Sequence, residues 1–234
     1  MEHFLLEQVA DDAWAALATP DGGAVANAGI LRVRDMTIVF DTSMSADAAL
    51  ELRAGAERIG PVVAVVCSHW HADHVNGNIA FADVDIVATS RTRELIEARD
   101  RDRLDGFETM LPNELFEEQI LVEGVTIETL GGGHTESDAF IWFEDTLFAG
   151  DLVVVQSHPW VGHGDPEHWI EILEAFEARG PRAIVPGHGP VGSAADLTPL
   201  RRYLEALLDG TAEPVESWAF AEGHAHNVES LAPR

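Results

Sequence analysis

The amino-acid sequence predicts an α+β fold in which helices pack on the outer faces of two stacked β-sheets. Strand patterns outnumber helical ones, the helical patterns fall between groups of strands, and one short segment is apolar throughout, as expected for a strand buried on both faces. No linker, repeat or low-complexity run divides the 234 residues, so we expect one domain over residues 1–234.

The first part of the chain is rich in strand patterns, separated by turn chemistry such as Pro20-Asp21-Gly22-Gly23. Apolar residues then recur at helical spacing from about Ser45, and this helix is predicted to end before Gly60. The strands are predicted at residues 4–9, 14–18, 28–33, 36–40 and 62–66, the last being the wholly apolar segment.

The second part repeats this style. Asp165 is a typical N-cap and Pro166 suits the first helical position, so a helix is predicted from there to Gly180. Thr198-Pro199 is predicted to open a last helix, and the Arg-rich segment 91–103 to form a solvated one. Further strands are predicted at 127–130, 139–143, 146–149 and 184–185.

The charge balance excludes several classes of partner. The formal net charge is −27, and all 14 basic residues are arginines. Nucleic acids and anionic membrane surfaces are bound through clustered Lys and Arg, so we expect neither partner and a small-molecule substrate instead. The single cysteine, Cys67, the lack of a long apolar run and the lack of a signal-peptide pattern predict a cytoplasmic protein, with the oligomeric state left open.

Ligand-type residues cluster directly after the apolar strand. The segment Ser68-His69-Trp70-His71-Ala72-Asp73-His74 carries four of them, His69, His71, Asp73 and His74. Imidazole and carboxylate together suit zinc, with iron or manganese as alternatives. The sequence therefore predicts a metal site at the end of this strand.

Three further ligand-type residues follow predicted strands, each beside a glycine: His134, Asp151 and His188. Glycine allows the backbone to approach a crowded site closely and accepts a positive φ. Each of these residues alone is weak evidence, but their occurrence after the first motif strengthens the prediction of a metal site.

The pattern His-x-His-x-Asp-His, followed by a distant His, an Asp and a last His, resembles the metallo-β-lactamase fold superfamily. The resemblance spans roughly Asp41 to His188 and implies a four-layer αββα sandwich with the site along one edge of the sheets. It also implies two divalent metal ions, most simply zinc. The first would be held by His69, His71 and His134, the second by Asp73, His74 and His188, with Asp151 bridging both and Asp41 steadying the histidine loop.

The function implied by this resemblance is hydrolysis of an ester, lactone, thioester or amide by a metal-bound hydroxide that Asp73 orients. Asp151 stands where the zinc β-lactamases carry Cys or Ser, which resembles the hydroxyacylglutathione hydrolase and lactonase branches. The segment after His188 is short and contains no Lys. It therefore does not resemble the glutathione-binding domain of that hydrolase, which argues against a glutathione substrate. The alternative is a non-haem iron oxygenase resembling the persulfide dioxygenases of the same superfamily.

The loop Ser157–His163 closely follows Asp151, so we predict that it forms a wall for the substrate. In this prediction His158 is a polar handle and Trp160 an apolar face, with His163 beside them; the alternative places Trp160 in the core. His224 and His226 repeat the His-x-His spacing without the flanking Asp-His, and we expect them in a surface loop.

Overall fold

Seven strands form the first sheet, in the order of the chain. The computed structural model describes residues 2–101 and 109–231. The sheet is antiparallel from β1 to β4 and parallel from β4 to β7. Its strands are β1 Phe4–Ala10, β2 Ala13–Ala18, β3 Ala28–Val33, β4 Met36–Phe40, β5 Val62–Val66, β6 Asp85–Thr89 and β7 Glu114–Phe116.

Five strands form the second sheet, in the order β12-β11-β10-β9-β8. All neighbours are antiparallel except β11 and β12, which are parallel. The strands are β8 Gln119–Val122, β9 Val125–Thr129, β10 Ala139–Phe143, β11 Thr146–Val154 and β12 Ala183–His188.

The helices cover the outer faces of these two sheets. They are α1 Ala46–Glu57, α2 Ala72–Val75, α3 Ser90–Arg101, α4 Pro166–Arg179, α5 Ala194–Leu208 and α6 Ala221–Ser230, with a 3-10 segment at Asn76–Phe81. None of the helices in the described ranges is long and apolar enough to cross a membrane.

Three apolar cores separate four layers. Leu52 of α1 packs against the outer face of the first sheet, and Trp169 of α4 packs against the outer face of the second. Between the sheets, Phe40 and Phe148 meet edge to face with ring centroids 6.1 Å apart. The α+β fold and its αββα order are therefore confirmed.

Local sequence signals were reliable where they are strongest. The strands at 28–33, 36–40, 62–66 and 139–143 have the predicted bounds. Asp165 accepts hydrogen bonds from the backbone of Glu167 and His168 at the start of α4, and Gly180 ends that helix at a φ of +68°. Both ends of α4 are thus set by residues that the sequence singles out.

Other boundaries differ from the prediction. Helix α5 begins at Ala194 rather than Thr198, because Ser193 and Asp196 form a reciprocal capping box and Pro199 lies within the helix. Strand β11 continues to Val154, since Gly150 is accommodated within the strand at a positive φ instead of ending it. The end of the predicted 91–103 helix lies outside the described residues.

The C-terminal segment also differs from the prediction. His224 and His226 lie on helix α6, not in a surface loop. Asn227 of that helix is fully buried: its amide nitrogen donates to the carbonyl of Pro159, and its side-chain oxygen accepts from the backbone of Val161. These bonds tie α6 to the loop after β11, which the residue pattern of the segment does not reveal.

We expect Phe148→Ala to lower the free energy of unfolding by about 3–5 kcal/mol, because Phe148 is completely buried between the sheets and its loss leaves a cavity. Leu121→Ala, on an exposed position of β8, is the control and should change stability by no more than about 0.5 kcal/mol. Urea denaturation measures both variants. Equal losses in the two would contradict this assignment of the inter-sheet core.

Candidate metal centre

The seven predicted ligand residues converge where strands of both sheets end. The motif follows β5 directly, Asp151 lies within β11, and His188 is the last residue of β12. The ligand-type atoms fall into two groups, within each of which all atoms lie within 4.8 Å of one another. These groups are His69, His71, His134 and Asp151, and Asp73, His74 and His188.

The first group is formed by imidazoles around one carboxylate oxygen. His71 Nδ1 lies 3.0 Å from His134 Nε2. The Oδ2 atom of Asp151 lies 3.3 Å from His134 Nε2 and 3.9 Å from His69 Nε2. Four ligand atoms therefore face one point.

The second group shares the same aspartate through its other oxygen. His188 Nε2 lies 3.3 Å and His74 Nε2 3.7 Å from Asp73 Oδ2. Asp151 Oδ1 lies 3.3 Å from His74 Nε2 and 3.5 Å from His188 Nε2. Asp151 thus presents one oxygen to each group, which is the arrangement that a bridging carboxylate requires.

Asp41 fixes the histidine loop from behind. Its Oδ1 accepts from the backbone N–H of Ser68 at 2.7 Å, and its Oδ2 accepts from the hydroxyl of Ser68 and from His74 Nδ1, each at 2.7 Å. Because the Ser68 hydroxyl donates to Asp41, it is left to accept from His69 Nδ1 at 2.9 Å. Both Nε2 atoms are then free to act as ligands, since each ring carries its proton on Nδ1.

Glycines allow the two strand ends to approach this closely. A side chain at Gly187 would collide with Asp151 Oδ1, and one at Gly150 would lie 2.6 Å from Ser68 Cβ. Gly150 also has a φ of +52°, at which a residue with a side chain would be strained. The glycines that flank the ligand residues therefore have the role that the sequence suggests.

Several buried atoms in the centre lack a hydrogen-bond partner among the described residues, including His69 Nε2, His74 Nε2 and Asp151 Oδ1. A buried polar atom without a partner is costly. All three atoms face the two groups, so divalent cations there would satisfy them. The residues present therefore fit a metal centre, and the donor set of imidazole and carboxylate suits zinc, iron or manganese.

The two groups differ in their proton affinity. Burial and neighbouring imidazoles hold the pKa of His69 well below its ordinary value and lower that of His71 to about 2, so both rings are neutral. Burial also lowers the pKa of His188, but Asp151 and Asp73 outweigh it and raise the value to about 10. The carboxylates likewise outweigh burial at His74, whose pKa is raised. A cation at the second group would therefore displace protons.

A cavity of about 420 Å³ opens over the centre, and its lining includes Asp73, Asp151 and His188. All three residues predicted for the substrate wall also line it. Trp160 is 41% exposed and its ring stacks on His226 with centroids 3.6 Å apart, so the alternative that places Trp160 in the core is wrong. His163 Nδ1 lies 2.9 Å from His71 Nε2, which brings it beside a ligand residue.

His158 is not a polar handle. It is buried, its Nδ1 donates to the carbonyl of Ala219, and its Nε2 accepts from the backbone N–H of Val215. Both ring nitrogens are therefore committed to backbone groups, and the ring anchors the segment before α6. The histidines of α6 do not share a site, since His224 bonds the hydroxyl of Tyr203 while His226 stacks on Trp160.

The cavity residues that the sequence did not predict include Val25, Trp70, Arg99, Phe220 and Glu222. Trp70 lies inside the histidine motif, and its position between two ligand residues could have predicted that it lines the cavity. The others come from the β2–β3 loop, α3 and the start of α6, and nothing in the sequence links these segments to the motif.

Comparison with known proteins gives a consistent result. A model of the metallo-beta-lactamase superfamily matches residues 21–188. The chain is 24% identical to metallo-beta-lactamase type 2 of Bacteroides fragilis over 65% of its length and 64% of the relative's. It is 29% identical to the beta-lactamase-like protein 2 homolog of Caenorhabditis elegans over 54% of this chain and 42% of the relative. The matches thus span less than two thirds of these relatives.

The fold is also similar to that of solved metallo-beta-lactamases. The crystal structure of DIM-1 metallo-beta-lactamase superposes with a TM-score of 0.72 at 18% identity, covering 87% of this chain and 98% of that one. At this identity the likeness concerns the fold alone.

We expect Asp41→Asn to weaken zinc binding by about 10–100-fold, because the amide cannot accept from Ser68 and His74 together as the carboxylate does. Asn keeps the size and tolerates the φ of +62° at this position. Calorimetric zinc titration measures the effect, with Asp11→Asn at an exposed turn as the control. Native affinity in the Asp41 variant would show that this residue does not position the ligands.

Proposed function

Because the chain belongs to the metallo-beta-lactamase superfamily, we propose that it is a metal-dependent hydrolase of a small acyl substrate, an ester, lactone, thioester or amide. The observation that carries this proposal is the position of Asp151, with one carboxylate oxygen toward each group of ligand-type atoms. Such an arrangement suits two ions rather than one.

In this proposal His69, His71 and His134 hold the first ion, and Asp73, His74 and His188 hold the second, with Asp151 shared. A pair of divalent ions lowers the pKa of water to provide a nucleophile near neutral pH and polarises a carbonyl oxygen. Zinc is the first candidate, and iron and manganese suit the same donors.

The residues of the chain then have distinct tasks. Asp73 is the ligand residue suited to orient a nucleophile, because it lines the cavity and nearby imidazoles hold its pKa at about 2 against the opposing effect of burial. It therefore remains a hydrogen-bond acceptor at neutral pH. Trp160 and Trp70 border the cavity, where they offer aromatic surface to a substrate.

Cys67 does not compete for the role of nucleophile. It is completely buried, and burial raises the pKa of its thiol. It lies in the apolar core of the first sheet, where a cysteine packs as a small apolar residue.

The remaining expectations stay predictions: a single domain, a cytoplasmic location, and the absence of nucleic-acid and membrane partners. The iron-dependent oxygenase is the competing function. It needs one iron, whereas the shared Asp151 favours a pair of ions. Elemental analysis of the protein together with oxygen uptake distinguishes the two functions.

We expect close to two ions per chain after saturation with zinc, and a larger loss of binding in Asp151→Ala than in Asp73→Ala. A shared carboxylate offsets the repulsion between two cations, so its removal should lower the affinity for the two ions by at least about 100-fold. Calorimetric titration with elemental analysis measures both variants, with Asp11→Ala as the control. Binding of two ions by the Asp151 variant with native affinity would rule out the bridge.

Hydrolysis is tested on the zinc-loaded protein with lactones, thioesters, aryl esters and β-lactams. We expect turnover of at least one acyl class, lost in Asp73→Asn because the amide neither ligates nor orients as the carboxylate does. Oxygen consumption without hydrolysis, in a protein that saturates at one iron, would refute the hydrolase.

A further inference from the structure

Much of the cavity wall outside the ligand residues is apolar. Trp70, Trp160 and Phe220 contribute aromatic rings, and Val25 and Val154 contribute aliphatic groups. Trp160 and Phe220 are 41% and 45% exposed, although large apolar side chains are usually covered. Exposed aromatic groups beside polar ligand residues are typical of a pocket that binds an apolar part of a small molecule.

Arg99 is the one Arg among the described lining residues, and it is already committed. Its Nη1 donates to the carbonyl of Trp70 at 2.8 Å, and its Nη2 donates to Asn76 and Thr109. Its guanidinium is also paired with Asp100 at 2.9 Å. These bonds hold the motif against α3, so Arg99 does not offer a vacant site for an anion.

An acidic residue stands on the same wall. Glu222 lines the cavity from the first turn of α6, where the helix dipole favours a carboxylate. The positive end of this helix is therefore already compensated. With a net charge of −27 on the whole chain, an anionic group on this wall would meet repulsion, and the one arginine among the described lining residues is already paired.

We infer that the cavity takes a neutral acyl compound with an alkyl or aryl group, and discriminates against compounds that carry a carboxylate remote from the scissile carbonyl. This inference rests on the proposed hydrolase and names its substrate class. The apolar group lies against Trp160 and Phe220, and the carbonyl faces Asp73 and Asp151. A remote carboxylate would lose hydration without gaining a partner.

The first test compares two esters that differ in one terminal charge, 4-nitrophenyl hexanoate and the mono-4-nitrophenyl ester of adipic acid. Their acyl chains have the same length and their leaving group is the same. At low ionic strength we expect kcat/KM of the zinc-loaded protein to be at least about tenfold higher for the hexanoate. Raising the ionic strength to about 0.5 M should narrow this difference, because salt screens exposed charges.

Variants of Glu222 test the charge of the wall directly. Relative to kcat/KM for the hexanoate, Glu222→Gln should raise kcat/KM for the adipate ester several-fold, and Glu222→Arg should raise this ratio further. Glu229→Arg is the control, because Glu229 lies exposed on the same helix and does not line the cavity. The same gain in the control would assign the effect to net charge rather than to the wall and would overturn the inference.

A binding measurement on the metal-free full chain separates the wall from the reaction. There we expect hexanamide to bind at least about tenfold more tightly than the monoamide of adipic acid, which differs from it only in a terminal carboxylate remote from the amide carbonyl. Tryptophan fluorescence reports binding. Trp160→Ala and Phe220→Ala should each weaken the binding of hexanamide. A thermal melt of each variant checks that the fold is retained.

The outcomes distinguish the two proposals. If no acyl compound is hydrolysed, the hydrolase is refuted, while the binding comparison still decides the preference for neutral ligands. If the adipate ester is hydrolysed as efficiently as the hexanoate, and the monoamide of adipic acid binds as tightly as hexanamide, the hydrolase stands and the inferred substrate class is wrong.

Discussion

The Asp151 carboxylate is the charge on which the arrangement of the centre depends. It lies in a strand whose nine residues are all buried, and four imidazole nitrogens face it at 3.3 to 3.9 Å. A carboxylate buried in this way is costly unless positive charge surrounds it. In the metal-free chain, protonated His74 and His188 supply that charge, since their pKa values are raised. Divalent ions would replace these protons, so both folding and metal binding depend on the attraction between this carboxylate and the positive charge around it.

The backbone brings the carboxylate and the imidazoles together because the two sheets meet at one edge. The motif extends from β5 of the first sheet, whereas Asp151 and His188 belong to a parallel pair in the second. Gly150 and Gly187 remove the side chains that would hold these strands apart. Asp41 closes the arrangement by bonding Ser68 and His74 from the end of β4, at a φ of +62°. This strained position is compensated by three hydrogen bonds to its carboxylate.

The sequence predicted the ligand residues better than the limits of the elements, for a physical reason. A metal ligand must be a particular residue type at a fixed spacing, so His69, His71, Asp73 and His74 are recognisable locally. Helix α6 and the short strand β7 depend instead on partners elsewhere in the chain. Asn227 of α6 is buried only because the loop at Pro159 and Val161 presents backbone groups to it. Pro199 likewise suggested a helix start, whereas the capping box at Ser193 sets the real one.

The cavity wall combines segments that are far apart in the chain, and this separates the chemistry of the centre from the choice of substrate. Trp70 is placed by the motif, but Trp160 and Phe220 are placed by α6 and the loop it holds. His158 links these two segments through its bonds to Ala219 and Val215. Substitutions there can change the wall while every ligand residue stays in position. Similarity to other members of the superfamily therefore bears on the metal centre, and the substrate must be argued from the side chains of the wall.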